Sequence, residues 1–161
     1  MKKDHVDIIL DQWAKERPDL DTSPMAITGR IARISAHLRG EMQKTFQAFG
    51  LNHASFDMLA TLLRSGPPYA LSPGELLDSA MVTSGTMTNR IDRLVEAGLV
   101  SRAQSDEDKR SFVISLTDKG YKLINRALES HVQTLHRLTE RISPRNRAKL
   151  IELLKVLGDE G

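Results

Sequence analysis

Apolar residues recur at steps of three and four along much of the chain, a spacing that predicts amphipathic helices. The first such stretch runs from about Val6 to Lys15 and is ended by Arg17-Pro18. A longer one begins at Ser23-Pro24, a typical helix start, and ends at Gly50, a typical left-handed cap. We expect its inward face to consist of Ile27, Ile31, Ile34, Leu38, Met42 and Phe49.

Shorter elements follow after residue 51. Asn52 can cap a helix that Ser65-Gly66-Pro67-Pro68 ends. Its expected inward residues are Phe56, Leu59, Ala60 and Leu63. Ser72-Pro73-Gly74-Glu75 then combines a capping box with a proline at the first helical position, which predicts a short helix to about Ser79.

A second short helix follows a tight turn at residues 80–83. It begins at Thr83 and ends at Ala97-Gly98. Two short helices joined in this way are typical of a helix-turn-helix. The residues expected to face inward are Met87, Ile91, Leu94 and Val95.

Residues 99–104 and 111–116 flank a polar tip, and the second of these runs alternates in the manner of a strand. They predict a β-hairpin, which directly after a helix-turn-helix is a wing. We therefore predict a mainly α fold with a small β-hairpin wing. Residues 1–23 would form an N-terminal extension helix, residues 24–50 and 117–161 a helical dimerisation region, and residues 51–116 a winged helix-turn-helix DNA-binding lobe.

The C-terminal part of the chain predicts two further helices. Thr117 caps the first, whose apolar positions from Tyr121 to Ile142 repeat at steps of three and four. Ser143-Pro144 opens the last, which is apolar on more than half of its circumference. Such a helix needs a partner wider than one neighbouring helix.

Composition excludes several classes of function. The 161 residues include no cysteine, which excludes disulfides, thiolate zinc sites and cysteine catalysis. No two of the five histidines lie three or four residues apart, so we expect neither a metal site nor a cofactor. A phosphate-binding loop and a nucleophile with an evident base are also missing, so we predict that the protein is not an enzyme. Without a secretory signal or an apolar run of about 20 residues, we expect a cytoplasmic protein with no membrane partner.

The helix from Thr83 has the side chains that a major groove requires. If its apolar residues are buried, the opposite face carries Gly85, Thr86, Asn89 and Arg93. Short side chains allow close approach, asparagine suits adenine, and arginine suits guanine or phosphate. Thr83 and Ser84 lie at the helix N-terminus, where free amides can hold a phosphate. The alternative is an ordinary surface helix with polar residues outward.

The tip of the predicted wing, residues 105–110, is acidic but ends in two cations. Asp108 can pair with Arg110 and hold that side chain outward toward a minor groove, beside Lys109. We predict Lys109 and Arg110 as DNA contacts and Asp108 as wing support. The alternative is a solvated turn.

The stretches SPGELLDSAMVTSGTMTNRIDRLVEAGLVSR, DEDKRSFVISLT and DKG, together with the helix order over residues 24–158, resemble the multiple-antibiotic-resistance-regulator (MarR) family. The resemblance implies a homodimeric winged-helix transcription factor, usually a repressor that small anionic aromatic ligands release from DNA. The family's Asp-x-Arg wing motif matches Asp108 and Arg110.

The stretches DQWAKERPDLDTSPM and FDMLATLLRSGPPYALSPGELL are similar to the urate-responsive, PecS-like branch of that family. This resemblance implies a ligand site with Trp13, Asp57 and Arg90, for an effector such as urate, another purine or a phenolic anion. From the residues alone, Trp13 could simply pack the extension onto the body. Asp57 could be a surface carboxylate or pair with Arg90 or Arg102, and Arg90 could reach an anion or a DNA phosphate.

The function predicted from all these features is a ligand-responsive transcriptional regulator that binds a palindromic operator in double-stranded DNA as a homodimer. The alternative is a winged helix used for protein contact without DNA, since residues 83–110 carry five basic and five acidic residues. His131 is either a hydrogen-bonded core residue or a pH-sensitive dimer contact. His37 has the same two interpretations.

Overall fold

The computed structural model describes residues 2–81, 87–104 and 112–159. Within these ranges the elements are, in chain order, α1 (His5–Glu16), α2 (Met25–Gln47), α3 (His53–Arg64), β1 (Ala70–Leu71), α4 (Pro73–Ser79), α5 (Met87–Glu96), β2 (Val100–Gln104), β3 (Phe112–Leu116), α6 (Asp118–Thr139) and α7 (Pro144–Gly158). The chain divides into two compact units, Met1–Met42 and Gln43–Gly161. The division by role expected from the sequence stays a prediction.

The first unit pairs α1 with the N-terminal part of α2. Asp4 caps α1 by accepting hydrogen bonds from the amides of Val6 and Asp7, at 2.8 and 3.0 Å. Val6 is only 4% exposed and packs beside Gly29, where an added Cβ would lie 3.4 Å from a Val6 methyl carbon. The guanidinium of Arg30 binds the carboxylates of both Asp4 and Asp7. One buried valine and one arginine thus hold the two helices together.

The long helix differs from its prediction at both ends. It begins at Met25, because Ser23 and Pro24 form the preceding turn, and it ends at Gln47. Gly50 has the expected left-handed backbone, with φ 69°. Part of the face predicted to be inward is exposed in the single chain, namely Ile27, Ile31 and Ile34.

The core of the second unit centres on α3, which Asn52 caps as predicted by accepting the Ser55 amide. Met58, Leu59 and Leu62 are completely buried in it. Ala60 and Leu63, which were also expected to face inward, are only half-buried, so that part of the prediction is wrong. The remaining apolar core of this unit includes Phe46, Leu51, Phe56, Leu76, Ile91, Leu94, Leu99, Val100, Ile114, Ile124 and Ala127.

The strands form an antiparallel sheet in the order β1-β3-β2. The predicted hairpin is confirmed, with Val100 opposite Leu116 and Gln104 opposite Phe112. Its tip, residues 105–111, lies outside the described residues. The sequence did not predict β1, whose two residues pair with Ser115 and Ile114.

The last two helices begin at the predicted caps, Thr117 and Ser143. Along α6 the predicted seam is buried at Ile124, but Tyr121 and Leu135 are exposed in the single chain. α7 has no buried residue, and its large apolar side chains from Leu150 to Leu157 are exposed. Along the described ranges, every helix is too short or too polar to span a lipid bilayer.

Candidate nucleic-acid interface

The helix-turn-helix is built from α4 and α5, and residues 82–86 between them lie outside the described residues. α4 begins with the predicted capping box, in which Ser72 and Glu75 satisfy each other's backbone amides. α5 ends at Glu96 and is followed by Gly98, whose φ of 67° is left-handed, and the amide of Leu99 donates back to the Leu94 carbonyl at 2.9 Å. Both ends of the motif therefore have local sequence signals that the structure confirms.

The burial of α5 gives the helix an inner and an outer face. Ile91 and Leu94 are buried and Met87 is half-buried. The prediction that Val95 is also inward is wrong, since it is 38% exposed. Successive helical residues differ by about 100°, so Val95 lies outside the narrow stripe that Ile91 and Leu94 bury.

The predicted DNA-reading side chains occupy the outer face where they are described. Asn89 and Arg93 are exposed, and Arg90 is half-buried at the edge of the inner face. Thr83, Ser84, Gly85 and Thr86 lie outside the described residues.

A cavity of about 470 Å³ lies between the start of α3 and the outer edge of α5. Asn89, Arg90 and Arg93 line it together with Gln43 and residues 52–55. Two guanidinium groups thus share one cavity with a helix N-terminus, which itself carries a partial positive charge. Such a lining favours an anion with planar acceptor groups.

Arg90 has a hydrogen-bond donor that could bind an acceptor placed in the cavity. Its Nη1 atom is buried and has no hydrogen-bond partner within the part of the chain that the structure describes. A buried donor without a partner is costly, so an acceptor placed there would gain a full hydrogen bond. The prediction that Arg90 can reach an anion is consistent with this position.

Asp57 lies elsewhere on α3 and is not part of the cavity lining. Its Oδ2 atom accepts a hydrogen bond from the Met81 amide at 2.8 Å. Arg102, one of the partners considered for it, has its Nη1 atom 3.7 Å from Oδ1 of Asp92. Two turns further along α3, Arg64 donates to the Ser79 carbonyl. Sequence analysis missed Arg64, whose only signal is that it lies at helical spacing from Asp57 and Thr61.

The base of the wing is attached to α5 through Arg102. Its guanidinium lies beside Asp92 of α5 and 4.2 Å from the centre of the Phe112 ring on β3. Asp108, Lys109 and Arg110, the predicted residues of the wing tip, lie outside the described residues.

Trp13 belongs to the first unit, on α1, and is 40% exposed. The prediction that it joins Asp57 and Arg90 at one ligand stays a prediction.

His131 of α6 lies in an aromatic cluster, with its ring 5.1 Å from Phe46 and 4.9 Å from Phe56. Its Nδ1 atom is buried and has no hydrogen-bond partner among the described residues. Burial lowers the pKa of His131 below the usual 6.5, and the charge of His53 is a second, smaller cause. The folded state therefore favours the neutral form of the ring. His37 is exposed on α2.

A capped helix-turn-helix with a β-hairpin behind it, and with exposed asparagine and arginine on its second helix, defines a winged-helix DNA-binding protein. Comparison with known proteins agrees. The MarR family profile matches residues 49–111. The regulator PecS of Dickeya dadantii is 40% identical over 91% of this chain and 88% of its own length. The chain belongs to the MarR family and is a DNA-binding transcriptional regulator.

A second relative and a solved structure are also similar to this chain over most of its length. The transcriptional repressor YetL of Bacillus subtilis is 29% identical over 93% of this chain and 87% of its own. The structure of Sco3205, a MarR family regulator from Streptomyces coelicolor solved in complex with DNA, matches with a TM-score of 0.77. It is 23% identical and covers 87% of this chain and 92% of its own, so it supports the fold.

Proposed function

We propose that this MarR family protein is a ligand-responsive repressor that binds a palindromic operator as a homodimer. A small anionic aromatic or purine ligand would release it. The observation that carries the proposal is the cavity at α5, which Arg90 lines together with Asn89 and Arg93. A ligand held there would occupy the same helix that faces DNA, so ligand and operator would compete for one set of side chains.

The DNA contacts follow from the positions of side chains on α5 and the wing. Asn89 would read a base edge, and Arg93 would read guanine or hold a phosphate. Thr83, Ser84, Gly85 and Thr86 would allow the start of the helix to approach the major groove. Lys109 and Arg110, supported by Asp108, would reach the minor groove.

A second copy of the chain is the partner that the exposed apolar side chains of α7 favour. In water these residues cost free energy unless another surface covers them. A twofold pair would present two recognition helices about 34 Å apart, which matches successive major grooves and explains a palindromic operator. The same pairing would leave the wings free.

The ligand class follows from the size and charge of the cavity. A volume of about 470 Å³ fits a small aromatic molecule. Arg90, which lines the cavity, would neutralise the ligand's negative charge. The contributions of Asp57, as an acceptor for a purine N–H, and of Trp13, as an aromatic face, rest on the resemblance to the PecS-like branch, because neither residue is part of the cavity lining. Urate, another purine or a phenolic anion meets these requirements.

Repression is the role that we infer from YetL, a transcriptional repressor that is related to this chain over most of its length. A dimer bound across a promoter would block transcription, and a ligand that prefers the free dimer would restore it. By linkage, that ligand must weaken DNA binding by the factor by which DNA weakens ligand binding. Since operator DNA lies in the cytoplasm, we place the activity there.

Fluorescence anisotropy with a labelled duplex from upstream of the protein's own gene tests DNA binding. We expect sequence-specific binding that weakens steeply with salt. Replacing Arg93 with alanine should weaken specific binding by about 1–3 kcal/mol. The control Lys15→Ala removes one positive charge from α1 and should change it little. Absence of a bound species at low salt would instead favour a winged helix that contacts only protein.

Thermal-shift measurements with urate, xanthine and salicylate test the ligand. We expect at least one to raise the Tm and to release the labelled duplex, and both effects should shrink in Trp13→Ala or Arg90→Ala. Equal ligand affinity with and without DNA would contradict the proposal.

A further inference from the structure

The segment Ser79–Met81 joins α4 to the residues that lead into the recognition helix. Its side chains contribute little packing, since Ser79 is exposed, Ala80 is half-buried and Met81 is 90% exposed. The path of this backbone therefore depends on hydrogen bonds and not on burial. The amide of Ala80 ends α4 by donating to the Leu76 carbonyl at 3.0 Å.

Two side chains of α3 hold the rest of the segment. Asp57 accepts the Met81 amide at 2.8 Å, and Arg64 donates to the Ser79 carbonyl. The same Nη2 atom of Arg64 lies 3.3 Å from the Thr61 hydroxyl. Because one anchor precedes Ala80 and the other follows it, the two fix both the position and the direction of the chain.

The three α3 residues lie at steps of four and three, so they share one face of the helix. Thr61 is 1% exposed and anchors the middle of that face in the core. Asp57 is half-buried and Arg64 is exposed. Each anchor joins a charged group to a backbone dipole, and such hydrogen bonds are roughly twice as strong as neutral ones. We name Asp57, Thr61 and Arg64 the α3 clamp.

The recognition helix needs this support at one end in particular. Ile91, Leu94 and the turn at Gly98 hold its C-terminal half by burial and capping. Toward the start of its described part, Thr88 and Asn89 are exposed. A recognition helix contacts base edges with its N-terminal residues. Within the described part of the helix, Met87–Glu96, the N-terminal end therefore has less packing of its own than the C-terminal half.

We propose that Asp57 and Arg64 are positioning residues for DNA recognition, because they fix the backbone that leads into the N-terminal end of the recognition helix. The inference rests on the proposed operator binding. Neither side chain needs to touch DNA. Their removal should therefore lower specific affinity while leaving non-specific affinity for phosphates in place.

The test uses the full-length protein and measures anisotropy with operator and with an unrelated duplex. Asp57→Ala and Arg64→Ala should each weaken operator binding roughly tenfold. Binding to the unrelated duplex and the salt slope should stay unchanged, since no phosphate contact is lost. Asp57→Asn keeps an acceptor oxygen and should restore most of the affinity. The matched control is Asp78→Ala, which removes the same charge from the exposed face of α4.

Amide hydrogen exchange at Met81 tests the same contact without DNA. We expect exchange to be roughly tenfold faster in Asp57→Ala than in the wild type, Asp57→Asn or Asp78→Ala. If wild type binds no operator, the proposed function fails, and the exchange measurement alone decides about the clamp. Equal exchange in all four proteins, or operator affinities of Asp57→Ala and Arg64→Ala that match Asp78→Ala, would overturn the inference.

Discussion

Gly120 lies in the first turn of α6, where the helix passes the backbone that leaves the recognition helix. A Cβ added there would stand 1.9 Å from the Leu99 carbonyl oxygen and 2.9 Å from its carbon. Ordinary carbon–oxygen contacts are about 3.3 Å or longer, so the two backbones would have to separate by about 1.4 Å. The Leu99 carbonyl accepts the Thr117 amide at 3.1 Å, and that hydrogen bond would be strained by the movement.

Two opposing effects determine what Gly120→Ala does to stability. Helix propensity favours alanine over glycine by about 1 kcal/mol. Overpacking costs about 1–3 kcal/mol, and a lost hydrogen bond about 1 kcal/mol more. Because the clash is with backbone, which cannot rotate away, we expect a net loss of about 2 kcal/mol. For a chain of this size that lowers the Tm by roughly 4–8 °C.

Thermal unfolding followed by circular dichroism measures this effect. Gly74→Ala in α4 is the matched control, since a Cβ there meets nothing within 4 Å. It should leave the Tm unchanged or slightly raised. A Gly120→Ala protein with a Tm equal to that of the wild type or higher would show that the close approach between α6 and Leu99 is not as described.

Three further predictions concern the buried His131, the ion pairs of Arg30 and the helix cap at Ser72. The folded state lowers the pKa of His131, so the contribution of the neutral ring to stability is present above pH 6.5 and declines as pH falls below that value. Urea unfolding should therefore show that the free energy of unfolding falls less between pH 7 and 5 in His131→Phe than in the wild type. Parallel pH dependences of the two proteins would refute this. Arg30→Ala should loosen α1 and move Trp13 fluorescence toward that of free tryptophan, whereas an unchanged spectrum would show that Val6 alone suffices. Ser72→Ala removes a cap worth about 1 kcal/mol and should lower the urea midpoint, and an unchanged midpoint would contradict that role.

The starts of α3, α4 and α6 and the end of α5 were predictable because their signals are local. Asn52, Ser72 and Thr117 each accept an amide three residues ahead, and Gly98 supplies the left-handed backbone that ends α5. All of these interactions are contained within a few residues of sequence. β1 was not predictable, because two residues have no periodicity and their pairing with β3 exists only in the folded sheet.

The side of a helix that is buried was less predictable than the helix itself. Spacing shows that apolar residues share a stripe, but the width of the buried stripe depends on the neighbouring elements. Val95 and Leu63 lie at the edges of apolar stripes, and neither is fully covered. The exposed side chains Ile27 and Ile34 fit the predicted inward face only if another surface covers them.

The candidate site was predictable only where its chemistry is carried by one helix. Asn89 and Arg93 share the outer face of α5 because of helical geometry alone. Arg64 could not be recognised, because its partner is a backbone carbonyl 15 residues away. Backbone groups are present at every position, so the sequence does not indicate which of them a side chain will bind.

Different forces hold the recognition helix and the backbone that precedes it. Burial of Ile91 and Leu94 holds the C-terminal half of the helix, and the hydrogen bonds to Asp57 and Arg64 hold the backbone at residues 79–81. Burial is not directional, whereas a charged hydrogen bond can be exchanged for one to a ligand at small net cost. If the proposed ligand binds beside Arg90, we expect it to shift the less buried N-terminal end of α5 while the buried half stays in place. Amide exchange should then rise at Thr88 and Asn89 on ligand binding but not at Leu94, and a uniform rise along α5 would show instead that the whole helix moves.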